Sequence, residues 1–372
     1  MLVYPDYYEK FKCIAGACED SCCAGWIIDV DDESYYSYQV EPGAFGDRLR
    51  NSLVVDGDQK FFQVTPDNRC PFLNEQNLCD IITEIGEDRI CQTCTEHPRY
   101  FVVTGDYEQH DISLSCCELG RIFFYDDDPV KYIREETEEE ETEEFDVDPF
   151  GDDEDAEMGY LDDDTEEFLY DPILLERVLK LRDEHISKIQ DRTKSLEERL
   201  QTVLGLSLSN IDFDDLYHVL GNLDMNGDKC SIEYRWEKEF DKLLEYRAKI
   251  EDAAVRAEFQ QACSNKFEIW FEKIATYFIF RYEIDVYFRL SELEKKSEDD
   301  DFAENVAIDF EEERRLINRS VAGIYIMAIQ KYLEENKGIY TVDDMVDSAH
   351  LYSKEVEHSD ENIEVLKETF DK

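Results

Sequence analysis

The chain has 372 residues, 42% hydrophobic and 13% aromatic, enough to bury a sizeable core, which excludes global disorder. Its formal net charge is −54, from 93 acidic against 39 basic residues, and argues against nucleic acid, whose phosphates need a basic patch. The same charge argues against anionic membrane surfaces and suits a cationic partner, such as a lysine-bearing protein.

The N-terminus, MLVYPDYYEKFKC, has no basic stretch followed by an apolar run, so no signal peptide is expected. The most apolar window, Ile274 to Phe280, meets Arg281, Glu283 and Asp285 at once. A bilayer span needs about 20 apolar residues. The expectation is a soluble, cytoplasmic protein with no membrane partner. In reducing cytosol, clustered cysteines bind metal or do redox chemistry rather than form disulfides.

Three zones follow in chain order, and the expected fold class is mainly α. Residues 1–125 read as a small, irregular α+β, cysteine-rich metal domain. Phe61 to Val64 and Tyr100 to Val103 have strand character, while Leu78 to Ile90 and Leu119 to Phe124 have helical spacing. Residues 126–167 carry acidic runs such as Glu138 to Glu141 and read as a disordered linker or insertion. Phe145, Phe150 and Tyr160 are its candidates for docking on the body. Residues 168–372 read as an α-helical domain. Asp171-Pro172 is a start signal, and Ser359 is the N-cap of the last helix. The aromatic stripe Trp270, Ile274, Tyr277, Phe278 and Phe280 reads as packed core.

Ten of the 12 cysteines lie in the first zone: Cys13, Cys18, Cys22, Cys23, Cys70, Cys79, Cys91, Cys94, Cys116 and Cys117. Thiolates select zinc, copper(I) or iron–sulfur centres. The two-residue gap of Cys91-Gln-Thr-Cys94 lets one turn of backbone present two sulfurs to one metal. One zinc ion or one cubane takes about four protein ligands. Ten cysteines therefore imply two centres, or some that are buried and unligated. Zinc sites usually pair two short hairpins, and one such hairpin favours iron–sulfur over zinc. His97 is a further candidate ligand. Cys230 and Cys263 read as core or incidental.

Cys13-Ile-Ala-Gly-Ala-Cys18-Glu-Asp-Ser-Cys22-Cys23-Ala-Gly-Trp26 resembles the opening signature of the flagellin lysine-N-methylase (FliB-like) family. Arg69 to Leu73 with Leu78-Cys79, Ile90 to Arg99, and Ser113 to Cys116 resemble its next three signatures. Tyr277 to Tyr282 and Leu351 to Asn362 also resemble the family. The cysteine part is similar, too, to the broader zinc- or iron-chelating CxxCxxCC domain. Two positions depart from the pattern: Cys117 stands where proline is usual, and His97 where tyrosine is expected. Cys117 is therefore set aside, which leaves Cys13, Cys18, Cys22, Cys23, Cys70, Cys79, Cys91, Cys94 and Cys116 as metal candidates.

The resemblance implies a protein lysine N-methyltransferase that uses S-adenosylmethionine, carries an iron–sulfur cluster, [4Fe–4S] in type, and acts on flagellin. Composition and spacing do not point to methyl transfer, and no glycine-rich strand–turn–helix for an adenosyl group is present. The cluster's role is open between scaffold and ligand of the methionyl group. Candidate catalytic residues are Glu357, His358, Tyr352 and Arg281, in the family-like C-terminal segments. Each also has a structural reading: Glu357 as surface charge, His358 beside an N-cap, Tyr352 as core, and Arg281 in an internal ion pair. The alternatives to an enzyme are a non-catalytic zinc or iron chelator and a thiol redox sensor.

Overall fold

The computed structural model describes residues 1–136, 170–223, 235–297, 301–335 and 338–370. The mainly α class expected from the sequence is what it shows. The N-terminal third holds β1 (Leu2–Pro5), α1 (Asp32–Val40), α2 (Gly43–Ser52), β2 (Leu53–Asp56), β3 (Gln59–Phe62), α3 (Asp80–Ile85) and α4 (Gln92–Glu96). Then come β4 (Arg99–Thr104), β5 (Tyr107–Ile112), α5 (Cys117–Tyr125) and β6 (Tyr132–Glu135). The rest is helical: α6 (Pro172–Ile189), α7 (Leu196–Leu204), α8 (Phe213–Leu220), α9 (Trp236–Ile250), α10 (Ala253–Ala262) and α11 (Phe267–Tyr282). It ends with α12 (Asp285–Glu294), α13 (Phe302–Asn305), α14 (Glu311–Glu335), α15 (Val342–Val356) and α16 (Asp360–Lys367).

Both expected N-caps are in place: Asp171 accepts from the Leu174 amide at 2.8 Å, and Ser359 from the Asn362 amide at 3.1 Å. Helices α11 and α14 are buried on nearly every side, as helices with apolar residues all round must be. Glycines let their neighbours close in. A Cβ at Gly323 of α14 would meet the Tyr352 ring at 2.7 Å, and one at Gly120 of α5 would meet Val346 at 2.9 Å. Both contacts are with α15, which is thereby drawn deep into the structure.

Strand order is β4-β5-β1-β6, with β1 parallel to β5 and antiparallel to β6. This sheet shares the large core with the helices: Val3, Val102, Tyr107 and Ile112 pack in the same cluster as Ile274 and Tyr277. A second, small core holds Ile28, Val30, Tyr38, Leu49, Phe62 and Phe72. The segment between β1 and β4 is therefore a satellite that leaves the sheet and returns to it. The acidic zone expected to be disordered from residue 126 starts out ordered: β6 pairs with β1, and Val130 is buried. Residues 126–136 still carry enough apolar groups to offset the cost of ordering. Residues 137–169, with Phe145, Phe150 and Tyr160, and Cys230 lie outside the described residues.

Candidate functional site

The cysteine loop and the C-terminal helix meet in a set of buried polar contacts. Asp20, between Cys18 and Cys22, accepts from His350 Nε2 at 2.8 Å and from Lys354 Nζ at 2.9 Å. Burial opposes ionisation of Asp20, but the His350 hydrogen bond and the Lys354 charge outweigh it and hold the carboxyl well below the usual range. His350 Nδ1 donates to the Ser115 carbonyl at 2.6 Å. Both its ring nitrogens face acceptors. Eight residues onward, His358 Nε2 lies 2.8 Å from Ser115 Oγ.

Three rings close the gap between the satellite and the body. Trp26, His97 and His358 have centroids 5.4 to 5.6 Å apart, with Trp26 stacked on His358. Burial pushes His97 down to about 4, and burial with the nearby His97 and Arg281 pushes His358 down to about 3. Both rings are neutral at pH 7 and resist protonation.

Behind His358 lies a buried ion pair. Arg281 Nε is 3.0 Å from Glu357 Oε2, and both side chains are at most 5% exposed. Tyr277 donates its hydroxyl proton to Glu357 and takes one from the Leu114 amide at 3.2 Å. The Arg281 guanidinium lies 4.1 Å from the Tyr100 ring centroid. Asp111 accepts from Tyr7 at 2.7 Å, yet burial still pushes its carboxyl up to about 7 against the Arg281 charge. Asp111 Oδ2 and Glu357 Oε1 are buried without a hydrogen-bond partner among the described residues.

Of the sequence candidates, then, Arg281 is in an internal ion pair, and Glu357 is its buried partner rather than a surface charge. Tyr352 is core: its hydroxyl donates to Ser320 at 3.1 Å, and its ring packs near Trp236 and Phe278. His358 sits half-buried at the junction. Asp20, Ser115, His350, Lys354 and Asp111 were not singled out from the sequence. A signal existed for two of them. His350 and Lys354 are four apart and with Glu357 fall at helical spacing, within or beside the family-like segment that begins at Leu351.

The thiols differ in exposure and in their hydrogen-bond donors. Cys70, Cys91 and Cys117 are buried, Cys13 and Cys22 exposed, and Cys18, Cys23, Cys79, Cys94 and Cys116 between. Cys13 Sγ accepts from the Ala15 amide at 3.3 Å. Backbone amides of Phe72, of Ile81 and Ile82, and of Glu118 and Leu119 point at Cys70, Cys79 and Cys116 in turn. Cys91 caps α4 and takes the Cys94 amide. Such donors favour the thiolate. Burial nonetheless pushes Cys70 up to about 12 and Cys116 up to about 11, so these sulfurs ionise only against a cation. The donor set suits a soft metal. Two surface grooves, of about 300 and 260 Å³, are lined by none of the candidate residues.

Part of the chain is 24% identical, over 132 residues, to the flagellar biosynthetic protein FliU of Salmonella muenchen; these are 34% of this chain and 78% of FliU. It is 23% identical over 132 residues to a lysine-N-methylase of Salmonella typhimurium, covering 34% of this chain and 33% of that protein. A lysine-N-methylase of Salmonella choleraesuis matches to the same extent, 23% over 132 residues. The match thus spans a third of the length of each methylase. No family model and no solved structure matches the chain. No described helix is long and apolar enough to cross a membrane.

Proposed function

We propose that the chain is an S-adenosylmethionine-dependent protein lysine N-methyltransferase acting on flagellin, with an iron–sulfur cluster on the thiols of the small core. The similarity to lysine-N-methylases supplies the reaction class. The observation that carries the reading is the docking of the Cys18–Trp26 loop on α15 through Asp20, His350 and Lys354. It brings the thiols and the Arg281, Glu357 and His358 constellation to one junction.

Four of Cys23, Cys70, Cys79, Cys91 and Cys94 would hold the cluster. When bound, it supplies a rigid iron–thiolate cross-link for that core. S-adenosylmethionine supplies an electrophilic methyl group. The chain's own residues prepare the amine. A lysine ammonium has a pKa near 10.4 and must lose a proton before its lone pair attacks. Neutral His358, with Ser115 at its Nε2, orients the amine, and the ammonium proton leaves to solvent, since burial keeps His358 from holding it. Arg281 and Tyr277 fix Glu357 behind it, and the orphan acceptors Glu357 Oε1 and Asp111 Oδ2 suit an ammonium group. The large negative charge draws a cationic side chain towards the surface.

A thiol redox sensor is the second reading. Hydrogen-bonded thiol pairs favour it, with Cys91 next to Cys94 and Cys22 next to Cys23.

The test is methyl transfer from labelled S-adenosylmethionine to flagellin by anaerobically purified full-length protein. The expected result is label on flagellin lysines, with His358→Gln lowering kcat. Iron-loaded protein that transfers no methyl overturns the enzyme. If methyl transfer is absent and a reversible Cys91–Cys94 disulfide is found, the sensor reading replaces it.

A further inference from the structure

The clustered cysteines do not converge on one point. Cys70 and Cys91 are buried in the small core, and Cys23, Cys79 and Cys94 pack against it. Cys117 is buried in the large core instead, and Cys18 and Cys116 pack there. Cys22 stands at the boundary. Its thiol meets that of Cys23, yet it also lies in the field of Cys13 and Cys116.

The two groups differ in spacing as well as place. The Cys117 thiol donates to Cys18, and these two sulfurs and a Glu19 carboxylate oxygen lie within 4.8 Å of one another. No three ligand atoms of the small-core group are that close, among the described residues. A single tetrahedral ion with metal–sulfur bonds of about 2.3 Å keeps its sulfurs roughly 4 Å apart. A polynuclear cluster spreads its ligands more widely. The large-core group therefore has the dimensions of one ion.

We propose that the chain holds a second metal centre, a mononuclear site for a thiophilic divalent cation such as zinc, on Cys18 and Cys117 with a further thiolate from Cys116 or Cys22. Glu19 is the remaining ligand or stays with Arg121, to which it is paired. The surroundings suit the charge. Cys116 caps α5 and Cys117 opens it, so the positive end of the helix faces the thiolates. Binding moves no electrons. The three thiol protons, including the one that Cys117 gives to Cys18, leave to solvent, and three metal–sulfur bonds form.

The ion would tie the loop after β1 to α5 of the body. That is the same joint that Asp20 makes with α15, closed from the other side. The site thus has a structural role at the junction. It owes nothing to the methyl-transfer reading and shares no ligand with the small core.

The full-length protein, purified anaerobically, is analysed for iron, sulfide and zinc, then depleted of zinc and titrated with cobalt(II). The expected result is about one equivalent of zinc besides the iron, and cobalt bands of a tetrahedral thiolate site. Cys117→Ser and Cys18→Ser should each lose the zinc and the cobalt bands while keeping the iron and the absorption near about 400 nm. Cys91→Ser should do the reverse. Circular dichroism checks that each variant is folded. If Cys18→Ser does not fold, Cys117→Ser and the wild-type titration decide.

The proposal is overturned if zinc is absent, if it survives both serine variants, or if iron and zinc fall together in a folded variant. It is also overturned if these thiols take up iron alone. Zinc that depends on Cys18 and Cys117 in a protein without iron leaves this site standing and removes the cluster.

Discussion

The small core around Phe62 and Phe72 and the large core around α11 and α14 solve the same problem with different chemistry. The large one is close-packed: Trp270, Tyr277, Tyr325 and Tyr352 are each at most 1% exposed, and glycines admit α15 against them. Burial of such side chains contributes about 1.5–3 kcal/mol each, and there are many. The small core has few large apolar groups and places five cysteines among or against them. Its elements are short, α3 and α4 spanning Asp80–Ile85 and Gln92–Glu96. A segment of this size with so little apolar interior usually needs a metal or disulfides. The difference sets a body held by its own apolar packing against a satellite with little apolar interior of its own.

Metal removal is the sharpest way to break that comparison and has the largest expected effect. A chelator under reducing conditions should let proteases cut within residues 13–98, at least about tenfold faster, with helical circular dichroism nearly unchanged. Limited proteolysis with mass mapping reads this. Equal resistance before and after stripping would mean that the small core stands on its apolar residues alone.

The next effect is smaller and lies at the joint. Asp20→Ala removes the acceptor shared by His350 and Lys354, whose side chains are 4% and 5% exposed. The expected loss is about 3 kcal/mol, the cost of breaking a buried pair. Urea unfolding followed by tryptophan fluorescence measures it, since Trp26 stacks on His358 at this joint. An unchanged midpoint would show that the satellite docks by other contacts.

How much of this was legible in the sequence depends on which force shaped each part. Helices with strong caps and apolar spacing, such as α6 from Asp171 and α16 from Ser359, are local and readable. The strands β3 and β4 were readable for the same reason. The partition of the cysteines was not. Cys22 and Cys23 are neighbours in sequence and face different groups, which only the tertiary course of the chain decides. Glu357 looked like a surface charge because its partner, Arg281, lies 76 positions earlier on another helix. β6 was hidden in an acidic run, because its pairing partner is β1 at the other end of the zone. The Asp20 joint spans 330 residues of sequence.

The smallest expected effect concerns a costly feature of the large core. Burial holds the Asp111 carboxyl at about 7, against an ordinary 3.8, so the folded protein prefers its neutral form. Between those two values the folded state binds more protons than the unfolded state. Stability from this group is therefore fully present below about 3.8 and is lost as the pH rises through about 7. Asp111→Asn keeps an acceptor for Tyr7 and the Ile112 amide while removing the ionisation. Its melting temperature relative to wild type should rise by a few degrees across that window and be level on either side. Thermal melts of both proteins at a series of pH values test this. Parallel curves would mean that Arg281, which pulls the carboxyl the other way, already compensates the buried charge, and that the large core bears no cost at this site.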